Sequence, residues 1–192
     1  MKREEWFPTS IYHDMINVGG IEEISQDIKK HQDGVFKSNR GGWQSDDISD
    51  DERLTYLKFT IEEKSKYVWR DMFPDKPGRF KITNMWININ NNESYNDTHE
   101  HPNADLSGCL YVKTHENCGR IFFKDPRHIH RMNELNKFNV KTRLTFTEVY
   151  YTPEDGKILF FPNWINHGVE PNKQDKDRIS IAFNMDFNFI KS

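Results

Sequence analysis

The chain of 192 residues is 35% hydrophobic, 14% aromatic and 30% charged, enough for one domain with its own core but not for two of ordinary size. Its 27 Lys and Arg against 30 Asp and Glu leave a formal charge of −3, so no broad positive field is present to hold nucleic acid or an anionic membrane. The opening Met1–Pro8 lacks the apolar run of a secretory leader and no stretch is long enough to span a bilayer, which predicts a cytoplasmic protein. Cys109 and Cys118 lack paired CxxC spacing and read as free thiols.

In chain order, Ile21, Ile24 and Ile28 fall on one face of a short helix over Ile21–His31, with Glu22 and Glu23 at its positive end, Lys29 and Lys30 at its negative end and Gly34 beyond. Asn39-Arg40-Gly41-Gly42-Trp43-Gln44-Ser45 follows as either a lid or a tight packing corner. A second helix is predicted from the capping-box pattern Ser49-Asp50-Asp51-Glu52, with a stripe of Leu54, Leu57, Ile61, Val68 and Met72, ending before Pro74. Beyond Arg79 the texture becomes short aromatic and β-branched runs: Phe80–Asn90, Leu106–Thr114, Arg120–Lys124, Thr142–Tyr151, Lys157–Phe161 and Arg178–Phe187. These read as an antiparallel β core, about 79–192, carrying a helical part, about 1–78, in a single domain. In Trp86-Ile87-Asn88-Ile89-Asn90 the period of two sends one face to a core and offers Asn amides on the other, while the Asn-rich stretch Asn88–Asn96 reads mainly as a loop.

The histidines are the informative feature. His99-Glu100-His101 places two imidazoles at i and i+2, which on a strand project from one face and can share a metal ion. Such a triplet is common by chance, and His128-Ile129-His130 is a second one in a polar connection, taken as a decoy. Further on, His167 follows the strand run Ile158–Phe161, and Arg178 and Ser180 follow the polar turn Asn172–Asp177. If His167–Val169 and Arg178–Ser180 form a hairpin across that turn, a metal-binding imidazole adjoins a guanidinium and a hydroxyl, a pair suited to a carboxylate.

The linked set His99-x-His101-Pro102, Leu106-Ser107-Gly108-x-x-Tyr111, Gly119-x-Ile121-x-Phe123-x-Asp125-Pro126-Arg127, Phe161-Pro162 to His167 and Arg178-x-Ser180-x-x-Phe183-Asn184 resembles the 2-oxoglutarate/Fe(II) oxygenases of marine bacteria and their phages. The resemblance covers about Met85 to Asn184. It implies a mainly β fold, a double-stranded β-helix of the jelly-roll, cupin-like kind with N-terminal helices packed on one sheet. It also implies Fe(II), 2-oxoglutarate and O2 as the working set, and hydroxylation of an unactivated C–H bond with release of succinate and CO2. A phage-encoded chain would work in the host cytoplasm.

Carried over residue by residue, the resemblance gives His99, His101 and His167 as metal ligands and Arg178 and Ser180 as the 2-oxoglutarate clamp. The usual ligand set has one carboxylate, and here His101 stands in its slot; Asp105 and Asp125 are the alternatives. Asn88, Asn90, Tyr111 and Trp164 are candidates for the substrate pocket, with ordinary packing or loop hydrogen bonding the competing role for each. The substrate, a small molecule or a protein, is not specified, and the aromatic segments near Trp6 or Trp43 offer a surface for a homodimer. Two rivals stand beside this reading: a three-histidine cupin-type dioxygenase that uses no 2-oxo acid, and a noncatalytic jelly-roll module.

Overall fold

The computed structural model describes residues 1–127 and 141–189. The second triplet, His128 and His130, lies outside them. Among the described residues, eleven strands form two antiparallel sheets and two α-helices pack on one of them. The strands are β1 (Tyr12–Met15), β2 (Asn39–Arg40), β3 (Trp43–Gln44), β4 (Gly78–Asn90), β5 (Tyr95–His99), β6 (Leu106–Lys113), β7 (Ile121–Lys124), β8 (Glu148–Tyr151), β9 (Lys157–Pro162), β10 (His167–Val169) and β11 (Arg178–Phe189). The larger sheet runs β1-β9-β6-β11-β4-β3 and the smaller β2-β5-β10-β7-β8.

Helix α1 spans Ile21–Lys30 and α2 spans Thr55–Met72. The second begins later than the capping box suggests. Asp51, not Ser49, accepts from the Arg53 amide and starts a single 3-10 turn over Glu52–Leu54, while the Ser49 amide itself donates to Asp47. Leu57, Ile61, Val68 and Trp69 are its buried apolar face; Met72, expected there, is 44% exposed. These side chains meet Met85, Ile87, Ile89, Leu110, Ile179, Ile181 and Phe183 of the larger sheet in the main core. No helix among the described residues is long and apolar enough to cross a membrane.

The parity of β4 records how that sheet is built. Phe80 and Ile82 are buried at even positions, then Met85, Ile87 and Ile89 at odd ones. The change falls where the pairing with β11 shifts, Asn84 opposite Asn184 but Ile82 opposite Met185, so Thr83 is the extra residue of a bulge. Beyond it Trp86, Asn88 and Asn90 point away from the helices toward the smaller sheet. Leu159, Phe161, Cys109 and Tyr111 from the larger sheet meet Ile121, Phe123 and Ile165 there in a second, smaller apolar cluster. The rest of the space between the sheets is polar.

The Gly41-Gly42 segment is a corner. It joins β2 of one sheet to β3 of the other and thus closes one end of the sandwich. Both glycines have positive φ, and a Cβ on Gly42 would lie 2.8 Å from the Ile89 carbonyl oxygen. Trp43 packs against the main core, with its indole N–H donating to the Gln32 carbonyl, so the segment's tryptophan serves packing.

Candidate active site

His99 is the last residue of β5 and pairs directly with His167 at the start of β10, which in turn pairs with Phe123 of β7. One inward row of the smaller sheet therefore carries two imidazoles. His101 lies just past β5, where Asn163 clamps its backbone: the His101 amide donates to the Asn163 carbonyl at 2.9 Å and the Asn163 amide donates back to the His101 carbonyl. Ring centroids are 4.5 Å apart for His99 and His167, 5.0 Å for His101 and His167, and 5.2 Å for His99 and His101. The potential ligand atoms of the three lie within 4.8 Å of one another.

Hydrogen bonding decides which nitrogen is free. Nδ1 of His99 lies 2.7 Å from the Asp97 carbonyl oxygen and Nδ1 of His167 lies 2.9 Å from that of Ile165. A carbonyl oxygen only accepts, so both Nδ1 atoms carry the proton and both Nε2 atoms keep a lone pair. His101 Nδ1 is 2.6 Å from Asn184 Oδ1 and 2.8 Å from Ser107 Oγ. Burial disfavours the imidazolium, and the neighbouring rings add to the effect: His101 is lowered to about 4 and His167 to about 3, with His99 lowered as well. At neutral pH the cluster is three uncharged imidazoles, the form that binds a transition-metal ion.

Neither alternative carboxylate joins them. Asp105 accepts from the Phe187 amide at 2.7 Å and ties the start of β6 to β11, and Asp125 forms a two-pronged pair with Arg127. Among the described residues the cluster contains histidine alone.

The hairpin expected between β10 and β11 does not form. β10 pairs with β5 and β7 in the smaller sheet, whereas β11 pairs with β4 and β6 in the larger, so the two segments lie in opposite sheets. The connection crosses the sandwich and is fastened by fully buried Asn172, whose amide donates to the carbonyls of Asn90 and Lys176.

Arg178 is 1% exposed, opposite Asn90 on β4, with Ser180 opposite Asn88 on one side and Tyr111 on the other. Its Nη1 donates to the carbonyls of Cys118 at 2.5 Å and Gly119 at 3.1 Å, and it has no acidic partner among the described residues. Arg178 Nε, Tyr111 Oη, Asn88 Oδ1 and Asn90 Oδ1 are all buried without a hydrogen-bond partner among the described residues. A buried guanidinium without an acidic partner among the described residues, with unsatisfied polar atoms on the neighbouring strands, is expensive to maintain. The same burial raises the Tyr111 hydroxyl well above its usual range and pushes the Cys109 thiol up to about 11, so both stay protonated.

A cleft of about 790 Å³ opens beside the histidines, lined by His99, His101, Trp86, Gln44, Arg40 and Asn184 among others. Asn88, Asn90, Tyr111 and Trp164 are not on its wall. The first three sit deeper, with Arg178, and Trp164 is 47% exposed in the turn between β9 and β10. Sequence reasoning assigned no part to Trp86, 5.7 Å from His101 by ring centroids, although the alternation around it already turned it inward. Nothing in the sequence gives Gln44 a role; it is 5% exposed and lines the cleft.

The family model described as "Putative 2OG-Fe(II) oxygenase" matches residues 84–184, more than half of the chain. The chain belongs to the 2OG-Fe(II) oxygenase family. The span of this oxygenase that matches runs from Asn84 on β4 to Asn184 on β11 and includes every residue of the histidine cluster and of the Arg178 surroundings named above. In fold the oxygenase is similar to a prolyl-4-hydroxylase from Pseudomonas putida, with a TM-score of 0.64 at 10% identity over 95% of this chain and 94% of that one. It is likewise similar to HygX from Streptomyces hygroscopicus, solved with nickel and 2-oxoglutarate (TM-score 0.63, 12% identity, covering 93% and 83%). The α-ketoglutarate-dependent epimerase SnoN of nogalamycin biosynthesis gives a TM-score of 0.64 at 14% identity, covering 92% and 78%. No curated protein sequence matches the oxygenase.

Proposed function

We propose that the chain acts as one Fe(II)- and 2-oxoglutarate-dependent dioxygenase domain over 1–192, hydroxylating an unactivated C–H bond of a small-molecule or protein substrate and releasing succinate and CO2. Three neutral imidazoles converging on one point, with a buried guanidinium in the opposite sheet that has no acidic partner among the described residues, carry this reading. His99, His101 and His167 hold the metal through Nε2 and leave the remaining positions open. Arg178, with Ser180 and Tyr111 across the strands, receives the far carboxylate of the oxo acid; the unsatisfied Nε and hydroxyl supply donors for it. Iron and 2-oxoglutarate, when bound, supply the activation of dioxygen that no side chain performs. Phe123 and Phe161 pack against His167 and keep that side of the centre dry. Trp86 and Gln44 face the cleft where a substrate approaches His99 and His101.

A cluster of histidine alone among the described residues favours a second reading, a three-histidine dioxygenase that consumes no oxo acid, and Arg178, buried with no acidic partner among the same residues, argues against it. Protein supplied with Fe(II), 2-oxoglutarate and O2 is expected to form succinate. Arg178→Ala is expected to raise the 2-oxoglutarate requirement by about 2–5 kcal/mol, the cost of removing one partner of a buried charged pair, while the metal stays bound. Iron binding without succinate would favour the second reading, and protein that takes up no stoichiometric metal would rule out both.

A further inference from the structure

His99 and His167 owe their protonation pattern to backbone carbonyls, which no substitution removes. His101 differs, because its Nδ1 meets side chains, Asn184 Oδ1 and Ser107 Oγ. A carboxamide accepts at one end and donates at the other. Turned end for end, Asn184 would offer an N–H to Nδ1, drive the His101 proton to Nε2 and remove a lone pair from the cluster. In the orientation seen, the Ser107 hydroxyl donates to the same Asn184 Oδ1 at 2.8 Å, so one oxygen accepts from both groups. The two residues are cross-strand partners on β6 and β11, and Ser107 is fully buried, so the geometry is set by the sheet. Gly108 follows Ser107 because the ring of Phe183, the neighbour of Asn184, lies 2.2 Å from where a Cβ would stand. The sequence pairs Ser107-Gly108 and Phe183-Asn184 are thus one interlocked unit behind His101.

We infer that Asn184, hydrogen-bonded to Ser107, is a positioning residue that fixes His101 as the Nδ1–H tautomer and thereby supplies the third lone pair of the metal site. This rests on the three-histidine reading above. All three Nδ1 partners are uncharged, so the ligands and their supports leave the charge of a bound ion uncompensated.

The test uses the full chain at pH 7.5, with Co(II) as the metal probe and long-range 1H–15N correlation of the histidine rings of the metal-free protein as a second readout. Wild-type His101 is expected as a single Nδ1–H tautomer. Asn184→Leu is expected to show Nε2–H signal, a Co(II) dissociation constant raised about 10–100-fold and shifted visible bands. Asn184→Asp, which keeps the accepting oxygen and has no N–H to reverse, is expected to keep the Nδ1–H tautomer and to bind Co(II) at least as tightly as wild type, because it adds a negative charge behind His101. Should Asn184→Leu fail to fold, Ser107→Ala is expected to move tautomer and affinity in the same direction by less. A folded Asn184→Leu or Ser107→Ala protein with unchanged tautomer, affinity and spectrum overturns the inference. His101→Ala binding Co(II) as tightly as wild type would instead overturn the three-histidine reading, whatever Asn184 does.

Discussion

A histidine buried without a counter-charge changes how a protein responds to acid, and this site has two, His101 and His167, beside a half-buried His99. In the unfolded chain an imidazole titrates near 6.5, whereas the folded values are about 4 for His101 and about 3 for His167. The unfolded state therefore binds protons first as pH falls. The stability contributed by the neutral rings is complete above about pH 6.5 and is lost as pH drops toward 4 and below. Thermal melts of metal-free protein between pH 7.5 and 4 are expected to show Tm falling across that window, and His167→Phe, surrounded by Phe123 and Phe161, is expected to flatten the fall. At this scale the sequence was informative about residue type. Spacing and motif order point to His99, His101, His167, Arg178 and Ser180, while nothing local gives Asn184 or Ser107 a role, because a hydrogen bond between strands leaves no local pattern.

The elements differ in how much of themselves the sequence discloses. α1, α2, β4, β6, β9 and β11 carry an apolar period, and their bounds fall within a few residues of those expected. β5 and β10 carry none. Tyr95–His99 is a polar run whose first two residues fall in the stretch Asn88–Asn96 that reads as loop, and His167–Val169 is three residues long, so both owe their strand character to the partners they pair with. These are the two strands that carry His99 and His167. β8, expected from Thr142, starts at Glu148. The β7 entry shows why one glycine matters. Gly119 has a φ of +85°, and a Cβ there would meet the Glu170 carbonyl oxygen at 2.1 Å and Arg178 Nη1 at 2.9 Å. Gly119→Ala is expected to cost at least about 1–3 kcal/mol in denaturant unfolding and, by displacing the guanidinium, to weaken 2-oxoglutarate dependence together with stability.

At the scale of the molecule the two faces of the larger sheet have separate duties. The outer face joins the helices in an apolar core, and the inner face supplies Asn88, Asn90, Tyr111, Arg178 and Ser180 to the polar space opposite the histidines. Ile61, fully buried in α2, belongs to the first face alone. Ile61→Ala is expected to lower unfolding stability by about 2–5 kcal/mol while Co(II) affinity of the folded protein stays at the wild-type value. A parallel loss of affinity would show that the helical layer also shapes the site. By itself the amino-acid order determined which faces must be buried, where the helices stop and which residues have metal- and anion-binding chemistry, since periodicity and side-chain type are local properties. The tertiary structure alone decided that Arg178 lies in the sheet opposite His99 and His167 and not beside His167 along a hairpin, that Asp105 and Asp125 are engaged elsewhere, and that the Nε2 atoms are the free ones. Those outcomes depend on which strands pair and on which carbonyls then stand beside each ring, and contacts between residues so far apart in the chain are fixed only when both sheets close.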